Sequence, residues 1–174
     1  PDRSAEYKAP LSVGFGFGWQ LGYARINASG EWFDGVDPYV VMQGEEVIQQ
    51  VPPQPITFDV VQSMDEVFNW GVGLEYAFRE TLSGYASFAT DASGFTDEID
   101  RADLSLNTLN LYSAFVGADF RVSSARFTLG VGYGWGSEPA PGLVELIPDE
   151  DIDLDPRYVY SRLRLLFGFE LGVD

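Results

Sequence analysis

The chain has 174 residues, 45% of them hydrophobic and 15% aromatic, with a formal net charge of −17 from 27 acidic residues against 10 lysines and arginines. That acidity excludes a phosphate-neutralising nucleic-acid surface and a polybasic segment holding the chain on anionic lipid. Cysteine and histidine are both absent, which removes disulfides, thiolate metal sites and histidine-dependent acid–base or nucleophilic chemistry; no enzyme and no cofactor are expected.

No apolar run approaches the roughly 20 residues of a transmembrane helix. Pro1–Pro10 shows neither an initiator methionine nor a signal-peptide pattern, so the chain reads as a processed or truncated piece. Leu11–Trp19 then alternates Leu11, Val13, Phe15, Phe17 and Trp19 with Ser12, Gly14, Gly16 and Gly18. Side chains of a strand project to opposite faces with period two, so this segment has one greasy face and one nearly bare. A turn at Gln20–Tyr23 leads to a strand at Ala24–Asp34. A long segment from Gly35 to Glu66 follows, broken by Pro38, Pro52, Pro53 and Pro55; within it Tyr39–Met42 and Thr57–Gln62 are expected to pair as an extension.

The third strand, Val67–Phe78, sets Phe68, Trp70, Val72, Leu74, Tyr76 and Phe78 against Asn69, Gly71, Gly73, Glu75 and Ala77. A turn at Arg79–Thr81 returns the chain as Leu82–Asp91. The fifth strand is expected at about Asn107–Val122, with both faces apolar over Leu109–Phe115. A turn at Ser123–Ala125 opens Arg126–Gly136, where Phe127, Leu129, Val131, Tyr133 and Trp135 alternate with Thr128 and four glycines. After the loop Ser137–Pro156, the last strand, Arg157–Val173, sets Leu163, Leu165, Phe167, Phe169, Leu171 and Val173 against Arg162, Arg164, Gly168, Glu170 and Gly172.

A soluble sheet buries its greasy face and covers the other with charge, especially lysine, but this chain has one lysine, Lys8. An outward apolar band around a small or polar interior is the pattern of an antiparallel transmembrane β-barrel of the bacterial outer membrane. A soluble sandwich or lipocalin-like barrel burying the same face is the alternative. Short and long connections alternate, as periplasmic turns and extracellular loops do. About seven strands are present, and the first runs toward the short-turn side. Complete bacterial barrels have even strand numbers, so residues 1–174 are expected to form one partial barrel domain whose N-terminal strands are missing. An aromatic girdle is expected from Trp19, Trp32, Trp70, Tyr76, Tyr112, Tyr133, Trp135 and Tyr160.

Two constellations could carry chemistry. Asp149, Asp151, Asp153 and Asp155 could offer oxygens to a hard cation, yet Pro156 stands where a calcium loop takes glycine and Arg162 where it takes glutamate, so a solvated acidic loop is the plainer account. The second is a set of charges on the bare face: Arg25, Glu75, Asp119, Arg121 and Glu170 near the short turns, and Glu31, Arg162 and Arg164 near the long loops. These are expected to form paired charges bracketing a roomier middle, either as structural ion pairs or as part of a solute path.

Tyr7-Lys8-Ala9-Pro10 with Leu11–Trp19, Glu31-Trp32-Phe33-Asp34, Asn69–Phe78, Tyr85–Asp91 and Phe127–Gly136 together resemble the C-terminal half of the outer-membrane long-chain fatty-acid transporter family (FadL-like). The resemblance implies a barrel of about fourteen strands, monomeric when full length, with a hatch absent from this chain. It also implies passive uptake of hydrophobic small molecules such as fatty acids, with the lipid bilayer and lipopolysaccharide as surroundings. The chain departs from the pattern in ending Leu171-Gly172-Val173-Asp174 rather than in an aromatic residue, which bears on whether Asp174 is the natural end. A non-transporting surface barrel with acidic loops for adhesion or lipopolysaccharide packing, and a soluble lipid-binding β-domain, are the competing functions.

Overall fold

The computed structural model describes residues 5–44, 46–50, 53–57, 59–94, 109–139 and 157–172. The fold is all-β and divides into two compact units, one built on Trp32–Val67 with flanking residues, the other on Gly14–Glu31, Phe68–Ala92 and the chain from Leu109 onward.

The first unit holds two ribbons. Strand β3 (Val36–Met42) pairs antiparallel with β6 (Val60–Met64), setting Tyr39 opposite Gln62 and Val40 opposite Val61. This is the expected extension, with its second strand starting a few residues later. Tyr39 is the one large apolar side chain buried among the described residues, at 7% exposure. Its hydroxyl donates to Gln62 Oε1 at 3.0 Å and accepts the Lys8 N–H at 3.0 Å, while Lys8 Nζ stands 4.8 Å from the ring centroid. A second ribbon, β4 (Glu46–Gln50) with β5 (Pro53–Thr57), lies where prolines argued for a break. A two-stranded ribbon consists of edges only, and an edge strand is where proline's missing N–H is tolerated.

The second unit is built on a seven-stranded antiparallel sheet in the order β1 (Ser12–Leu21), β2 (Ala24–Phe33), β7 (Val67–Arg79), β8 (Leu82–Asp91), β9 (Leu111–Val122), β10 (Ala125–Pro139), β11 (Arg157–Leu171). Neighbours in sequence are neighbours in space except across the long excursion between β2 and β7. Three two-residue turns, Gly22–Tyr23, Glu80–Thr81 and Ser123–Ser124, join the hairpins. Two of them use the positive φ that tight hairpin turns favour: Gly22 supplies it without steric cost at 57°, and Ser123 adopts it at 57°. The described sheet is open, with β1 and β11 as its edges, rather than a closed barrel.

Register settles the faces. Val72 lies opposite Phe88, Ala86 opposite Val116, Val116 opposite Val131 and Val131 opposite Leu165, so one apolar face runs unbroken across five strands. The other face carries Gly73 opposite Ser87, Phe115 opposite Gly132 and Gly132 opposite Arg164. The ambiguity over Leu109–Phe115 is thereby resolved: Tyr112 and Ala114 stand on the apolar face, Phe115 on the glycine face. Burial is inverted relative to a water-soluble sheet. Along β7, Phe68, Trp70, Val72, Leu74, Tyr76 and Phe78 are exposed, whereas Asn69, Gly71, Gly73, Glu75 and Ala77 are half-buried.

Candidate functional site

Among the described residues, the glycine face is the broad surface of the sheet that presents most of its charged side chains, and its two halves are built differently. Over β8–β11 the glycines act as a floor for rings. Tyr85 lies against Gly117 and Gly130, and its hydroxyl donates to the Leu129 carbonyl at 3.2 Å. Phe115 packs directly against Gly132, where a Cβ would collide with Cε1 and Cδ1 of the ring. A glycine floor lets an aromatic ring approach the backbone and recover the packing the missing side chain forgoes. The middle of this half, expected to be roomy, is occupied by these two rings. Over β1, β2 and β7 the floor is bare. A hollow of about 540 Å³ lies above Gly14, Gly16, Ser29, Gly71 and Ala89, with Glu31 and Asn69 among its lining residues.

Register places Glu75, Asp119, Arg121, Arg162, Arg164 and Glu170 on this face. Glu31 packs its methylene beside Gly14. The Ala77 N–H donates to the Tyr23 carbonyl at 2.8 Å, which, carried along the ladder, sets Arg25 opposite Glu75. Glu75, Asp119 and Arg121 meet around one hollow of about 220 Å³ near the short turns, and Arg121 and Glu170 line a second of about 420 Å³.

Both hollows share Arg126, a residue that sequence reasoning passed over as the start of a strand. Arg126 Nε donates to Asp119 Oδ1 at 2.6 Å, and Thr128 Oγ1 donates to Asp119 Oδ2 at 2.9 Å. The signal was present: Arg121 and Arg126 stand directly opposite each other, and like charges in that relation need an acid nearby. Half-exposed pairs of this kind contribute about 1 kcal/mol or less. Arg162, Arg164 and Glu31 make no ion pair among the described residues; the Arg164 guanidinium instead stands 5.8 Å from the Phe115 centroid, a cation–π distance. Charges at the turn end are therefore paired in part, and those at the loop end are not.

The apolar face carries two aromatic clusters. Toward the long connections, Trp70 meets Phe88 at 5.4 Å, and Trp135 meets Phe88, Tyr112 and Tyr133 at 6.1, 5.9 and 5.8 Å. Toward the turns, Phe120 stacks on Phe127 at 5.3 Å, Phe169 meets Phe127 at 5.1 Å, Tyr76 meets Phe78 at 5.1 Å, and Trp19 meets Phe17 at 6.5 Å. Phe88, the hub of the first cluster, was not expected there. Trp32 is half-buried near the end of β2. Tyr160 departs from the expected girdle: it pairs with Gly136 and so stands on the glycine face, beside Gly134. It is an odd number of residues from Leu163, which puts it on the opposite side.

Asp149, Asp151, Asp153 and Asp155 lie outside the described residues. Among the described residues, no group of three or more acidic, histidine or cysteine side chains could hold a metal ion. Comparison with family models, with curated proteins and with solved structures finds no match.

Proposed function

We propose that this chain is part of an outer-membrane β-barrel, the C-terminal half of one of about fourteen strands, that passes hydrophobic small molecules such as fatty acids passively along its glycine face. The observation that carries the reading is the inverted burial of the sheet. Leu165 is 82% and Phe167 68% exposed, and the same face continues through Val131, Val116 and Leu74. Leaving such a side chain in water rather than in apolar surroundings forgoes about 1.5–3 kcal/mol. A handful of them equals the whole net stability of a domain, about 5–15 kcal/mol. Lipid against this face removes that penalty.

The aromatic clusters agree in scale. From Tyr112 to Phe120 a strand rises roughly 27 Å; at a barrel tilt of about 35–45° this spans on the order of 20 Å along the membrane normal, near the ~25 Å band of outer-membrane barrels. Hydrophobic cargo is favoured by what stands on the other face. Tyr85, Phe115, Leu166 and Tyr160 project there among glycines, which gives an apolar track within an otherwise polar lining.

Single cysteines introduced on β7 and β10 and reacted in phospholipid vesicles test the reading. Val72→Cys, Leu74→Cys and Val131→Cys are expected to react with a membrane-soluble maleimide and to resist a water-soluble one, and Glu75→Cys and Thr128→Cys to do the reverse. Equal reaction of both sets with the water-soluble reagent defeats the membrane reading. Entry of a hydrophobic dye into vesicles bearing the protein separates transport from a merely structural surface barrel.

A further inference from the structure

We infer that Arg157, Ser137 and the Trp135 indole form a seat on the apolar face for the phosphorylated sugar head of a glycolipid, an inference that rests on the membrane reading of that face. Arg157 has the parity of Leu163 and Leu165 on β11, and its Nε donates to Ser137 Oγ at 3.0 Å. Ser137 in turn has the parity of Tyr133 and Trp135 on β10. Register thus turns an exposed arginine toward the side that carries the aliphatic and aromatic band. On β7–β11, in the half of this face toward the long connections, Arg157 is the one charged side chain among the described residues. The chain has 27 acidic residues against 10 basic ones, so the sign of that single charge runs against composition. Glu138, next to Ser137, stands opposite Tyr158 on the other face and accepts from Asn110 Nδ2 at 2.7 Å.

The rings beside this arginine differ in kind from those at the other rim. On β8–β11 the rim toward the turns is Phe120, Phe127 and Phe169, hydrocarbon throughout. The rim toward the long connections is Tyr112, Tyr133 and Trp135 around Phe88, and three of its four rings carry an N–H or O–H. Such rings suit a level where one end is apolar and the other wet. Trp135 lies 19° from the Tyr133 plane and 28° from that of Tyr112, so the three make one platform, with Ser161 opposite Trp135. The negative face of an aromatic ring takes the C–H side of a sugar, and a guanidinium fork takes phosphate oxygens two at a time. Ser137 stands two residues beyond Trp135, roughly 7 Å along the strand, within the reach of one phosphorylated sugar ring. The acyl chains of the same molecule would then lie along Val131, Leu163 and Leu165, below the platform.

The test is a lipid titration in neutral polyoxyethylene detergent, with bound lipid counted by native mass spectrometry. The probes are lipid A (sugar and phosphate), phosphatidylglycerol (phosphate without a sugar ring) and diglucosyl diacylglycerol (sugar without phosphate). EDTA is present throughout, so that no divalent cation bridges lipid to the acidic residues. Lipid A is expected to bind about tenfold more tightly than either other probe, the scale of one charge-assisted contact. In Arg157→Gln the lipid A affinity falls about tenfold and the diglucosyl affinity holds; Arg157→Lys keeps part of the difference. Trp135→Leu weakens both sugar-bearing probes and spares phosphatidylglycerol. Arg79→Gln, the same loss of charge at a short turn, leaves all three affinities unchanged. Lipid A bound no better than phosphatidylglycerol, or undiminished lipid A binding in Arg157→Gln, overturns the seat. Either result in protein whose introduced cysteines label in the membrane pattern leaves the membrane reading standing, whereas loss of that pattern defeats the membrane reading and the seat together.

Discussion

The two halves of the glycine face are alike in their glycines and opposite in construction. On β1, β2 and β7, Gly14, Gly16, Gly71 and Gly73 are floored and uncovered. On β9 and β10, Gly117, Gly130 and Gly132 lie beneath Tyr85 and Phe115. Glycine in the first half leaves space, and in the second half admits a ring. The difference comes from single large residues on alternate positions of β8 and β9, where the other half has Asn27, Ser29 and Ala77.

Substitution of glycine by alanine separates the two constructions. Gly117→Ala is expected to cost most, about 3 kcal/mol, because its methyl meets both the Tyr85 ring and the Leu129 carbonyl, and the backbone atom cannot swing aside. Gly132→Ala should cost about 2 kcal/mol, since Phe115 can shift at the price of its own packing. Asp119→Asn, which loosens Arg126 and Thr128 together, is expected to cost about 1 kcal/mol or less. Gly73→Ala on the bare half meets Ser87 Cβ at an ordinary 3.7 Å and should be neutral or stabilising by up to about 0.5 kcal/mol, from the lower entropy of the unfolded chain. Urea unfolding in a common lipid or detergent background reads all four. A cost for Gly73→Ala equal to that of Gly132→Ala would erase the distinction between the halves.

Much of the sheet was legible because period-two alternation needs no knowledge of neighbours. Val67–Phe78 and Leu82–Asp91 could be drawn almost to their ends, and the three short turns needed only narrowing. What escaped depends on partners. Which glycine Tyr85 covers is decided two strands away, at Gly130, and no local pattern holds that information. Arg126 escaped because its importance lies in standing across from Arg121 and within reach of Asp119. The β4–β5 ribbon escaped because proline breaks a strand inside a sheet but not one at an edge, and local sequence does not say which a strand is. Tyr160 is the exception, since parity with Leu163 already assigned its face.

The aromatic clusters also make the protein its own depth gauge. Trp70 and Trp135 stand in the cluster toward the long connections, Trp19 in the one toward the turns, and all three belong to the unit built on the main sheet. Indole emission from the two levels would be quenched separately by water-soluble acrylamide and by lipids brominated at chosen depths. Replacing Trp19 and Trp32 together would leave the signal of Trp70 and Trp135 alone, so the immersion of one rim could be followed without attaching any foreign label.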